Sequence, residues 1–294
     1  MRQVFSVVRW NFLGFYKNPR VVLTFLFSFI LCYFLSGRAM FVADYYGTPM
    51  QAFEPFIWTF GDSVSILLCS LLLLLLFLDL PKLSPFTPYL LLRMKKGQWL
   101  LAQFFYVFFV TAFYMLYVFL VTGLLCMRKT YLGNLWSKTA AFLAYSNMGK
   151  ELSVPSTVKV MESTTPFSCG MQVMLLLFCY SLSLGFLLLF FQMKLGKKAA
   201  VVAGLSYSLF GFLMNPQVLA DLLRKESYQM FEVRRILGWI SPLNHATYQM
   251  HDFGYDILPS IGQSCLFFLG LFLGLAYLSF RTLKTFHFNS FTGE

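Results

Sequence analysis

The sequence predicts an all-α polytopic membrane protein: six transmembrane helices preceded by an amphipathic interfacial helix, with helical extracytoplasmic segments after helices 3 and 5. Three observations carry that reading. The chain is 58% hydrophobic and only 12% charged over 294 residues, with 36 phenylalanines, far outside soluble-domain usage. Charge-free runs cover residues 21–37, 63–78, 97–127, 163–193, 199–220 and 257–280. A helix needs about 20 residues to cross the hydrocarbon, so the four later runs suffice and the first two must borrow interfacial residues. Lysine and arginine are denser in 1–20, 79–98, 194–198 and 281–294 than in 38–62, 127–169 and 215–260, which places both termini on the cytosolic side of the cell membrane. The net charge of +11 is then mostly an orientation signal plus attraction to anionic headgroups. Nucleic-acid binding is excluded as an expectation, because no basic run is interleaved with exposed aromatics on a soluble domain.

Residues 1–20 place Val4, Phe5, Val8, Phe12, Phe15 and Tyr16 at helical spacing, with Arg2, Arg9 and Lys17 largely elsewhere on the wheel. With Trp10, these cations mark an interfacial helix along the cytosolic leaflet, ending at Asn18-Pro19. A signal peptide would look similar, but the basic region is long and the stretch after Ser36 offers no small-x-small cleavage site. The transmembrane domain occupies 21–294, with approximate spans 21–37, 56–78, 99–126, 168–193, 199–215 and 258–280. Residues 38–62 read as a short outer loop. Two extracytoplasmic segments, 127–167 and 216–257, carry helical apolar spacing: one short helix is expected over 131–146, and an amphipathic stretch follows Pro216. Both are expected to form a structured lid.

Between spans 2 and 3 lies a polar island at 79–98. Pro81, Pro85 and Pro88 stop the preceding helix, since proline lacks an N–H donor and disfavours helix in the residue before it. Residues 89–96 read as a short helix that presents Arg93, Lys95 and Lys96 as cations and ends at Gly97, with Trp99 as an interfacial aromatic restarting the next span. The bland alternative is a solvated basic loop that only fixes orientation.

The expected membrane interiors contain no Asp, Glu, Lys, Arg or His, unlike ion-coupled transporters and proton pumps. No Walker lysine loop, HExxH or Gly-x-Ser-x-Gly motif is present, so the chain is expected to be no enzyme and to bind no cofactor. His245 reads as an interfacial hydrogen-bonder, and nothing has metal-ligand spacing. Cys126 and Cys169 bracket the first outer segment, either as packing residues or as a disulfide tethering its base. Serines in span 2, including Ser63 and Ser70, suit close helix packing or a pathway.

The arrangement resembles the permease subunit of a type-2 ABC exporter: an amphipathic N-terminal helix, a cytosolic proline-and-cation loop, a helical outer segment with WISPLNHATY, and no ATPase of its own. RMKKGQW, starting at Arg93, and SPLNHA, starting at Ser241, are the closest pieces. The resemblance implies a homo- or heterodimer of six-helix permeases in the lipid bilayer, bound to separate cytosolic ATP-binding subunits that hold ATP and Mg. It makes Pro81, Pro85, Tyr89, Arg93, Lys95 and Lys96 the ATPase-coupling residues, with the N-terminal helix abutting them. It also selects spans 2 and 5 as pathway walls, with Ser63, Ser70, Ser206 and Tyr207 as sparse polar groups for an amphipathic, peptide or lipid-like cargo. The long segment after span 3 departs from the compact members. The alternative function is a membrane scaffold or sensor that recruits a cytosolic partner without transport.

Overall fold

The computed structural model describes residues 1–83, 87–146, 157–214, 216–222, 230–254 and 257–286. A helix α1 (Arg2–Phe12) and a short 3-10 turn lead into α2 (Pro19–Tyr46). Next come α3 (Glu54–Phe60), α4 (Ser63–Phe77), α5 (Thr87–Arg93) and α6 (Lys96–Cys126). After α7 (Lys138–Tyr145) and α8 (Val158–Ser163), the long α9 (Pro166–Leu195) turns directly into α10 (Lys197–Leu213). The chain closes with α11 (Pro216–Leu222), α12 (Met230–Ile240), α13 (Pro242–Ala246) and α14 (Ile261–Thr282). The sheet among the described residues is a single parallel pair, β1 (Met50–Gln51) and β2 (Thr130–Tyr131), in register Met50 to Thr130.

This is an all-α, membrane-embedded architecture, but six full spans are not what it contains. Among the described residues four helices, α2, α6, α9 and α14, are long and apolar enough to cross a membrane, and a bent pair of α3 and α4 makes at most a fifth. The expected span 56–78 is broken by a 78° bend. Asp62 explains it: its backbone is extended and its carboxylate accepts from Val64 N at 3.1 Å, capping α4 as a new helix. The expected span 199–215 is α10, whose 17 residues rise only about 25 Å against a hydrocarbon core of about 30 Å. It stops because Met214 leaves helical geometry just before Pro216 opens α11.

The first span is longer than expected. α2 has 28 residues and takes in 38–46 of the anticipated outer loop, because Ser36, Ala39, Val42 and Ala43 prolong its small, buried face. Asn18 caps it, accepting from Arg20 N, with Pro19 at the first helical position. The centre of the bundle is α9, which packs on α4, α6, α10 and α14. In its most apolar window 67% is buried, against 11% for α14, so α9 is the core and α14 the periphery. Close approach needs glycine here. A Cβ on Gly204 would meet Leu74 Cδ2 at 2.3 Å and one on Gly185 would meet Val107 Cγ1 at 2.5 Å.

Taken in chain order, α2, α4, α6, α9, α10 and α14 alternate in direction, giving the bundle two polar ends. One gathers α1, the start of α2, residues 78–83 and 87–96, the turn at Gly196 and the end of α14. The other gathers β1, β2, α3, α7, α8, α12 and α13. In this second end the short helix expected over 131–146 begins only at Lys138, because Thr130 and Tyr131 pair with β1 instead. Described parts of the two segments expected to form a lid touch one another, while residues 147–156, 223–229 and 255–256 of those segments lie outside the described residues. Trp136 Nε1 donates to Thr164 O at 2.7 Å, and Tyr248 from the second segment lies beside Thr164 and donates to Gln172 Oε1 at 2.7 Å.

Candidate partner-docking surface

The end carrying the N-terminus is organised around the break after α4. Its backbone is held from two sides by buried amides. Gln103 of α6 accepts from Lys82 N at 3.0 Å and Gln192 of α9 donates to Phe77 O at 3.2 Å. The polar groups left by the break are collected by Asp79, which pairs with Arg20, accepts from Asn18 Nδ2 at 2.9 Å and lies 3.8 Å from Lys82 Nζ. Burial, with the Arg20 charge added, pulls the Lys82 ammonium below its ordinary value. Asp79 is already engaged by Arg20 and offsets little of this. The cap of α2 and the end of α4 are thereby one rigid unit.

Further along the chain comes α5. Leu91 and Met94 pack against the core, while Tyr89, Leu92, Arg93 and Lys95 are exposed. α1 lies alongside: Val4, Val7 and Val8 are buried against α6, Phe5 packs on Phe105 with ring centroids 5.7 Å apart, and Gln3 Nε2 reaches Arg93 O at 3.5 Å. Of the apolar stripe of the expected interfacial helix, Val4 and Val8 face protein and Phe12 and Phe15 are half-buried, while Phe5 and Tyr16 are exposed together with Arg2, Arg9, Trp10 and Lys17. Arg2, Arg9, Lys17, Arg93, Lys95 and Lys96 give this face one sign of charge.

Several sequence expectations change here. The short helix is α5, ending at Arg93 rather than continuing to Lys96. Lys96 instead opens α6, with Gln98 Oε1 accepting from Lys95 N at 3.3 Å, and Gly97 is the second residue of that helix rather than a terminator. Trp99 is not an interfacial anchor. It is 1% exposed and stacks on Phe286 at 6.4 Å, tying the chain's end to the start of α6. Pro81 is buried under the loop; Pro85 lies outside the described residues.

The candidate pathway residues are not brought to one wall. Ser70 is buried and donates to Leu67 O at 2.7 Å, Ser63 sits half-buried in the first turn of α4, and Ser206 is exposed on the far side of α10. Tyr207 does point inward, to Ser183 Oγ at 2.5 Å, and stacks on Tyr180, whose ring centroid is 5.2 Å away. Cys126 and Cys169 are free thiols, so the tether is absent. Cys126 lies beside Ser36 on α2 while Cys169 lies beside Tyr248.

Two polar clusters at the opposite end escaped the sequence reading. Glu54 is fully buried, and its carboxylate accepts from Gln51 N at 2.9 Å, Ser137 N at 2.7 Å and Ser137 Oγ at 2.6 Å, joining β1 to the cap of α7. The second is His245, His251 and Ser264, all at most 1% exposed. Only the pairing of an acidic residue with a nearby Gln-x-x-Glu spacing could have flagged the first; the second joins residues from separate elements.

Fold and surface together define a helical membrane-embedded protein with a basic, rigidly braced face at one polar end. No family model, curated protein or solved structure matches the chain.

Proposed function

We propose that this chain is the permease subunit of an ATP-driven exporter in the cell membrane, moving an amphipathic, peptide or lipid-like substrate out of the cytoplasm. The observation that carries the reading is the exposed helix α5, with Tyr89, Leu92 and Arg93 outward, Leu91 and Met94 packed on the core and Gln3 of α1 reaching Arg93 O. A short helix anchored to the bundle transmits displacement as a lever, and a floppy basic loop would not. ATP and Mg belong to the separate cytosolic ATP-binding subunit, which supplies the energy. In this reading both termini are cytosolic; α2 and α6 run in the same direction, as do α9 and α14, so the bent α3–α4 pair and the short α10 each serve as a crossing between them. A second permease copy, identical or related, completes the pathway.

The test is the double variant Arg93→Glu, Lys95→Glu, co-expressed and purified with a candidate ATP-binding subunit. Loss of co-purification and of substrate-stimulated ATP hydrolysis, at least tenfold, with unchanged membrane insertion, is the expected outcome. Wild-type ATPase binding and transport by the double variant overturn the docking assignment. Binding without any transported substrate favours a scaffold that recruits a partner.

A further inference from the structure

His245, Ser264 and His251 form a chain of contacts whose hydrogens can be counted. His245 Nε2 lies 2.9 Å from Trp239 O, and His251 Nδ1 lies 3.1 and 3.0 Å from Thr247 O and Tyr248 O. A carbonyl oxygen only accepts, so each of these ring nitrogens carries its hydrogen. In the neutral rings the remaining nitrogens, His245 Nδ1 and His251 Nε2, are then both acceptors. Both face one atom, Ser264 Oγ, at 2.8 and 2.9 Å. The serine hydroxyl has a single hydrogen. With both imidazoles neutral, one of the two contacts is a lone pair against a lone pair, in a site that water does not reach. One added proton completes the chain, from imidazolium N–H to Ser264 Oγ and from Ser264 O–H to the other ring.

We propose that His245, Ser264 and His251 constitute a binding site for one shared proton, which locks the outer segment 239–251 to the first turns of α14. The surroundings suit a single cation. The three carbonyls stand at or just beyond the C-terminal ends of α12 and α13, where the helix dipole is negative. Phe267 lies flat on His245, with ring centroids 4.1 Å apart and 17° between planes, a geometry that favours a charged ring. Burial pulls each imidazole below its ordinary value and so works against the first proton as well as the second, and the unmatched lone pair at Ser264 Oγ is what favours the first. The charge of His245 further disfavours one on His251, so the pair titrates in two separated steps.

The charged and titratable neighbours do not compete for the role. From α9, Cys169 and Gln172 stand behind Tyr248, whose hydroxyl is directed away to Gln172. α12 bears Glu232, Arg234 and Arg235 but reaches the rings through the Trp239 carbonyl. Cys265 follows Ser264 on α14, and Asp252, next to His251, accepts from Gly254 N at 2.7 Å. Cys69 on α4 and Tyr207 on α10 come from the helices packed beneath α13. Among the described residues none of these places a charge interaction on either ring; Asp256 lies outside the described residues.

The site stands independently of the exporter reading. Its test uses the full chain in lipid nanodiscs with His287→Gln, so that only two histidines remain, labelled with nitrogen-15. At pH 7.5 the expected spectrum has one added proton over the pair, as one imidazolium or two exchange-averaged rings. Two neutral single-tautomer rings overturn the proposal. Stability supplies a second arm. A proton held more tightly in the folded state contributes fully below the unfolded histidine value, about 6.5, and is lost as pH rises through the folded value. Two independently buried neutral rings instead lose stability only as pH falls below about 6.5 and give a flat response above it. The melting temperature of the wild type should therefore decline from pH 6.5 to 8.5 relative to Ser264→Ala, and Ser264→Thr, which keeps the hydroxyl, should restore the decline. Parallel wild-type and Ser264→Ala profiles above pH 6.5 overturn it.

Discussion

At the end bearing the N-terminus, Asp79 has 27% of its side chain exposed and answers Arg20, Asn18 and Lys82, all partly in reach of solvent. At the opposite end Glu54 is 0% exposed and is answered only by neutral donors, two backbone N–H groups and one hydroxyl. Both carboxylates join a helix to a loop distant in sequence. The difference lies in what each leaves free. The Asp79 network consumes one acid against two cations and leaves Arg2, Arg9, Arg93 and Lys95 outward, so that end is electrostatically open to an acidic partner surface. The Glu54 and His245 clusters consume their polar groups internally, so that end is a closed cap whose integrity depends on complete hydrogen bonding.

Breaking the closed end should therefore cost most. Glu54→Ala strands Gln51 N, Ser137 N and Ser137 Oγ in a site without water, and buried donors left without an acceptor cost about 1–3 kcal/mol each before relaxation. A loss on the order of 3 kcal/mol, with fresh protease cutting in 130–146, is expected in thermal melts and limited proteolysis of the purified protein. Glu54→Gln keeps one acceptor oxygen and should lose less. Equal stability of Glu54→Ala and wild type would break the comparison.

Next in size is the packing shared by both ends. Gly204→Ala forces a methyl group into Leu74 and Leu188, which lie 2.3 and 2.9 Å from its Cβ position. About 1–3 kcal/mol of destabilisation is expected from overpacking α10 against α4 and α9. Gly270 on α14, whose Cβ would meet nothing within 4 Å, is the control and should tolerate alanine. The smallest effect belongs to the open end. Asp79→Asn removes the Arg20 pair, and because both side chains are partly exposed, less than about 1 kcal/mol of stability should be lost. Partner binding is the readout that should respond there, since residues 79–82, which precede α5, lose part of their anchorage. A larger stability loss in Asp79→Asn than in Glu54→Ala would invert the assignment of open and closed ends.

Much of the helical framework was legible. Asn18-Pro19 and Ser241-Pro242 open α2 and α13 through their capping side chains, a local chemistry that sequence displays directly. The alternation of Val4 and Val8 announced α1, although the surface that covers it, α6, could not be read from it. The docking residues were visible as a proline-and-cation island, while the bracing of the preceding break by Gln103 and Gln192 was not, because those amides sit inside apolar helices 21 and more than 100 residues away.

By itself the sequence determined the environment and the local grammar: so apolar a chain can satisfy its backbone in lipid only as helices, and proline, glycine and capping side chains act within a few residues. Tertiary structure alone decided which ends are full spans, where Asp62 bends a run of apolar residues into two helices, that Cys126 and Cys169 stay apart, and that two histidines converge on one serine. Each depends on which surfaces meet, and a polar group's cost or use is set by the partner that arrives from elsewhere in the chain.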